Sequence, residues 1–107
     1  TYVGSNPDFK ADKLRFGYTS LTTPHTTYEH AFTDKALTQL KRQEVLGGDF
    51  DVDNYTSERI MVDSRDGVKI PVSIVYRKDV VLDGTNPLLL YAYGSYGYIM
   101  EPGFSST

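Results

Sequence analysis

The sequence predicts a mainly β chain, and three observations carry that expectation. Apolar and polar residues alternate with period two through residues 14–18, 28–32 and 68–76. Turn-forming residues separate these runs at short intervals. A continuous apolar run, Leu88-Leu89-Leu90-Tyr91-Ala92-Tyr93, is then closed by Gly94 and Gly97. Such a run reads as a strand buried on both faces, with the glycines turning the backbone where it ends.

The elements follow in order. Ser5-Asn6-Pro7-Asp8 is turn chemistry. Leu14, Phe16 and Tyr18 share one face of a half-buried strand, which Thr22-Thr23-Pro24 breaks. Tyr28, His30 and Phe32 share a face of the next strand, and Thr33-Asp34-Lys35 forms a hairpin loop. Residues 36–45 carry two readings. Leu37, Leu40 and Glu44 have helical spacing, with Thr33 as a cap and Gly47-Gly48 as a stop. The apolar face is thin, however, and a strand returning from the hairpin is preferred.

Residues 47–55 form a polar, acidic loop and the best boundary in the chain. Beyond it, Ile60 and Val62 share a face, Asp66-Gly67 signals a two-residue turn, and Val68, Ile70, Val72, Ile74 and Tyr76 alternate along a long second strand. Pro71 lacks an amide proton, so its side of that strand faces solvent or a bulge. A charged connection over residues 79–86 leads to the apolar run. Residues 98–104 are irregular, and Ser105-Ser106-Thr107 has the character of a helix cap.

Composition narrows the function. With 107 residues the chain is one domain at most, or a piece of a larger one. A net charge of -3 and the lack of any basic run argue against nucleic-acid binding. No apolar run is long enough for a membrane span, so no membrane partner is expected. Cysteine is absent, which excludes disulfides and cysteine metal sites and permits a reducing compartment. A cytoplasmic location is expected, with the periplasm left open. The first residues show no secretory leader and no starting methionine, which suits an internal fragment.

Ligands of open α/β sheets bind outside the carboxyl ends of strands. Tyr93 and Tyr96 fall there, on phenols that donate hydrogen bonds. Packing tyrosines at a sheet edge are the plainer alternative. Other constellations fail on chemistry. Ser95 is no elbow nucleophile, because Tyr93 stands where that strained turn requires glycine. His25 and His30 lack a supporting carboxylate at ligand spacing. Asp49, Asp51 and Asp53 imitate the start of a calcium loop, but Asn54 replaces its glycine and Ile60 its closing glutamate. Gly94 and Gly97 lack the lysine of a phosphate loop. No cofactor and no metal are expected.

Several long stretches resemble a known family. Leu14-Arg15-Phe16-Gly17-Tyr18-Thr19-Ser20-Leu21-Thr22-Thr23-Pro24 is one, and Gln43-Glu44-Val45-Leu46-Gly47-Gly48 with Asn54-Tyr55 and Ser57-Glu58-Arg59 is another. The stretch from Arg65 to Tyr76 and that from Leu88 to Gly97 complete the set. Together they resemble the prolyl oligopeptidase family of serine peptidases, in particular its oligopeptidase B branch.

The resemblance implies that residues 1–54 are the end of a β-propeller and residues 55–107 the first strands of an α/β-hydrolase domain. It implies cleavage of short basic peptides after arginine or lysine. Tyr93 would correspond to the tyrosine whose hydroxyl helps form the oxyanion hole. Tyr96 would lie near the substrate pocket, and Glu101 among the acids that meet a basic peptide. Gly103 replaces one of those acids. The triad serine, aspartate and histidine would all be downstream, so the 107 residues alone are expected to be inactive. Their partner would be the remainder of the parent chain, and exposed strand edges would favour self-association. The competing reading is a stand-alone β-rich binding module with a tyrosine-lined ligand surface; a purely structural interaction domain is a third.

Overall fold

A computed structural model describes residues 1–107. It divides into two compact units: Thr1–Phe50 with Gly103–Thr107, and Asp51–Pro102.

The first unit is a four-stranded antiparallel sheet in which sequence order is spatial order: β1 (Tyr2–Val3), β2 (Lys13–Tyr18), β3 (Thr26–Ala31) and β4 (Leu37–Arg42). Strand number and order are those of one propeller blade. The alternation of β2 works as expected: Leu14, Phe16 and Tyr18 are half-buried, while Lys13 and Arg15 face solvent. Phe16 pairs with Tyr28 in register, and their rings stack at 5.7 Å. His30 meets the Phe32 ring edge-on at 6.3 Å. Residues 37–42 are the returning strand, and their thin apolar face agrees with every one of them being exposed. The register shifts at Thr27/Tyr28, which leaves Leu40 of β4 as the extra residue of a β-bulge.

The buried centre of this unit is small. Thr26 is fully buried; its hydroxyl donates to the Pro24 carbonyl at 2.8 Å and accepts from Arg42 Nε at 3.2 Å. Pro24 is fully buried as well, and no other apolar side chain in the chain is. Two features fell outside the sequence reading. The first is β1, which pairs Tyr2 with Gly17; a Cβ at Gly17 would fall within the Tyr2 ring, so only glycine admits that ring. The ring stacks on His25 and its hydroxyl is hydrogen-bonded to His25 Nε2. The second is Asn6, whose side chain accepts from the Arg15 N–H at 2.9 Å and donates to the Arg15 carbonyl at 3.1 Å, standing in for a strand neighbour.

The unit is closed by its last residues. Phe104 meets Phe50 edge-on at 5.1 Å, and its N–H donates to Thr19 Oγ1 at 3.2 Å.

The second unit begins with a single 3-10 turn, Val52–Asn54, capped by Asp51, which accepts from the Asp53 N–H. The antiparallel ribbon of β5 (Tyr55–Asp63) and β6 (Lys69–Arg77) follows. Ile60 faces Val72 and Val62 faces Ile70, the cross-strand apolar pairs that the alternation predicts. Pro71 pairs opposite Met61 on a strand with one open edge, where its missing N–H costs no ladder bond.

Two expectations are corrected. The hairpin loop is not a two-residue turn at Asp66-Gly67. The Ser64 N–H donates to Val68 O at 2.9 Å and the Gly67 N–H to Ser64 O at 3.0 Å, leaving Arg65, Asp66 and Gly67 at the tip. Gly67, at φ 83°, supplies the left-handed residue of such a three-residue loop. The larger correction concerns residues 88–93, which form no strand; Leu89 is 87% exposed. Their apolar pattern specifies burial on both faces, but a strand also needs a neighbour for its backbone groups, and β5 and β6 pair only with each other.

Candidate functional site

Tyr93, Tyr96 and Glu101 all lie in the second unit, downstream of β6. Tyr93 ends the apolar run and is 52% exposed. Its hydroxyl makes no hydrogen bond within the chain, so its proton is free to be donated. Its ring is not sunk in packed hydrocarbon; it meets the Tyr98 ring edge-on, centroids 5.7 Å apart and planes at 89°.

A tight turn makes that contact. The Tyr98 N–H donates to the Ser95 carbonyl at 3.1 Å. Between them Tyr96 and Gly97 both adopt left-handed backbone, with φ of 56° and 66°. Two such residues in succession reverse the chain tightly. Glycine does so without penalty, whereas an aromatic residue there carries about 1–3 kcal/mol of strain. Tyr96 is 98% exposed at the tip and touches neither Tyr93 nor Tyr98 through its ring. Glu101 is exposed and forms no ion pair. The structure therefore groups Tyr93 with Tyr98 and leaves Tyr96 and Glu101 apart as solvent-facing groups. Tyr98 escaped the sequence reading. A signal for it existed: Ser95 and Gly97 are turn residues with an aromatic on either side.

The remaining chemistry-bearing residues are engaged elsewhere. His25 binds Tyr2, His30 packs on Phe32, and Asp51 caps its turn. In the first unit, Glu29 bridges Lys13 Nζ and Arg15 Nη2, both at 3.1 Å. The hydrogen bond from Arg15, then that from Lys13, holds the Glu29 carboxyl below its ordinary value. The same carboxylate raises Lys13. A shallow depression of about 220 Å³ beside this cluster is lined by Asn6, Asp8 and the same three charged groups, and contains none of the expected site residues. At the second unit's hairpin tip, the Ser64 hydroxyl and then the Val68 N–H depress Asp66.

No protein-family model matches the chain. It is 51% identical over 106 residues, 98% of its length, to dipeptidyl aminopeptidase BI of Pseudoxanthomonas mexicana, and covers 14% of that protein. It is 35% identical over 92 residues, 86% of its length, to a prolyl endopeptidase of Elizabethkingia meningoseptica, covering 13% of it. Among solved structures, oligopeptidase B from Leishmania major matches 92% of the chain at 42% identity with a TM-score of 0.74, over 14% of that enzyme. Oligopeptidase B from Trypanosoma brucei, with covalently bound antipain, matches 92% of the chain and 14% of its own at 39% identity and a TM-score of 0.75. The chain thus spans about 14% of the length of these relatives. The homologues of this chain are peptidases of the prolyl oligopeptidase family.

Proposed function

We propose that these residues are one segment of a serine peptidase in which Tyr93 donates a hydrogen bond to the oxyanion of acyl transfer. The observation that carries the reading is a phenol, half-exposed and without an internal acceptor, at the end of an apolar run. An oxyanion donor must be unspent in the ground state and face the solvent-accessible side where the substrate carbonyl arrives. On this reading, residues 1–54 belong to a propeller blade and residues 55–107 open the hydrolase domain. The nucleophile and its base come from the rest of the parent chain.

The substrates we propose are short peptides cut after arginine or lysine. Glu101, an exposed carboxylate without an ion partner, supports attraction of a basic side chain. The printed names of the relatives, which include a dipeptidyl aminopeptidase and a prolyl endopeptidase, make specificity the first thing to measure. A self-sufficient binding module fits less well, because such a module needs a closed apolar core and Pro24 is the one apolar side chain this chain buries fully.

The test is Tyr93→Phe in the complete peptidase that carries this segment. Removing one oxyanion donor should lower kcat by about 10²–10³. KM and the folded state should be unchanged. A variant with the wild-type kcat removes Tyr93 from the mechanism. Assay against arginyl, lysyl and prolyl peptides, and against substrates that release dipeptides, decides the specificity.

A further inference from the structure

We propose that Tyr98 is a positioning residue for the Tyr93 phenol; the inference rests on the reading of Tyr93 as oxyanion donor. Nothing polar fixes the Tyr93 ring, since its hydroxyl has no partner and residues 88–93 lie outside any sheet. The aromatic contact it makes is the edge-on one with Tyr98. Residues five apart along an extended chain stand about 16–18 Å apart, too far for ring contact. The reversal at Tyr96 and Gly97, closed by the Tyr98 N–H on the Ser95 carbonyl, is what returns Tyr98 to Tyr93.

The geometry suits the task. A perpendicular ring contact restricts how far the phenol swings while leaving its hydroxyl free of any partner. A catalytic group displaced by about 1 Å can lose about a hundredfold in rate, so even a weak restraint on ring orientation is felt in turnover. The arrangement also gives the left-handed Tyr96 a reason. Its strained backbone is what brings a second aromatic onto the first.

Four variants of the complete peptidase test this: Tyr98→Ala, Tyr98→Phe, Tyr93→Phe, and Tyr93→Phe combined with Tyr98→Ala. Tyr98→Ala should lower kcat about three- to tenfold, the range an edge-to-face pair supplies, with KM unchanged. Tyr98→Phe keeps the ring edge and should restore kcat to within about twofold. In the Tyr93→Phe background, Tyr98→Ala should cost nothing further, because a restraint on an absent hydroxyl has no effect. An equal loss in both backgrounds overturns the positioning role, as does a Tyr98→Phe variant no better than Tyr98→Ala. If Tyr93→Phe is impaired and Tyr98→Ala is not, the inference about Tyr98 fails alone. If Tyr93→Phe itself turns over normally, the reading beneath it fails and takes this one with it.

Discussion

Glu29 shows how local geometry sets the charge state of a single group. It sits on β3 opposite Arg15 and two pairs removed from Lys13 on β2, so two cations converge on one carboxylate. Its depressed value means that folding holds the ionised form. The stabilisation is present above the ordinary glutamate range and is lost as pH falls through the lowered folded value. The partners are partly solvent-exposed, so the contribution is small and salt-sensitive. A carboxyl titration followed by NMR should find the Glu29 midpoint below that of an unpaired glutamate. Arg15→Gln should move it up, and further than Lys13→Gln does, since the Arg15 hydrogen bond is the larger cause. An unmoved midpoint in Arg15→Gln would contradict the assignment. Tyr93 belongs to the same scale: a phenol is conspicuous in the sequence because glycine follows it, whereas its restraint by Tyr98 depends on a turn whose first left-handed residue is a tyrosine, which no propensity favours.

At the level of elements, what the sequence disclosed was periodicity. Alternation at Leu14, Phe16 and Tyr18, and again from Val72 to Tyr76, placed β2 and β6 on their correct faces, while Ile70 is exposed. The same logic misjudged residues 88–93. An uninterrupted apolar run reports how much burial a segment wants, not whether a partner strand is at hand. β1 was invisible because a two-residue strand has no period to read; it is held by Tyr2 over Gly17 and by the His25 contact. The hairpin tip offers a clean test of backbone conformation. A Cβ at Gly67 would meet nothing within 4 Å, so space is not the issue, but its φ of 83° is left-handed. Gly67→Ala should therefore weaken the β5–β6 ribbon by about 1–2 kcal/mol, the cost of forcing an L-residue into that region. Gly67→Asn should lose less. Amide exchange across the ribbon measures both; protection in Gly67→Ala equal to wild type would refute the account.

For the molecule as a whole, surface area is the governing quantity. The chain exposes 9147 Å², where a self-contained monomer of 12.0 kDa exposes about 6,000 Å². Leu88, Leu89, Leu90, Tyr91 and Ile99 all contribute to the excess. Contiguous apolar surface of this kind calls for cover, from the rest of a parent chain on the reading proposed here. On the proposed reading, catalysis is subject to the same incompleteness. An oxyanion donor without nucleophile and base does not run acyl transfer. The purified 107 residues should show no inhibitor-sensitive cleavage of an arginyl peptide above the uncatalysed rate; measurable turnover would defeat the proposal that the triad lies elsewhere.

The meeting of Phe50 with Phe104 has a thermodynamic corollary. Holding together two points so far apart along a flexible polymer costs about 3.5 kcal/mol in lost chain freedom. An edge-on ring pair returns about 0.5–1.5 kcal/mol and a hydrogen bond such as that from Phe104 to Thr19 about 1 kcal/mol. The latch therefore does not sustain itself. It stays shut only while the intervening residues are already ordered, and the last few residues of the chain become a tell-tale that lets go first whenever that order loosens.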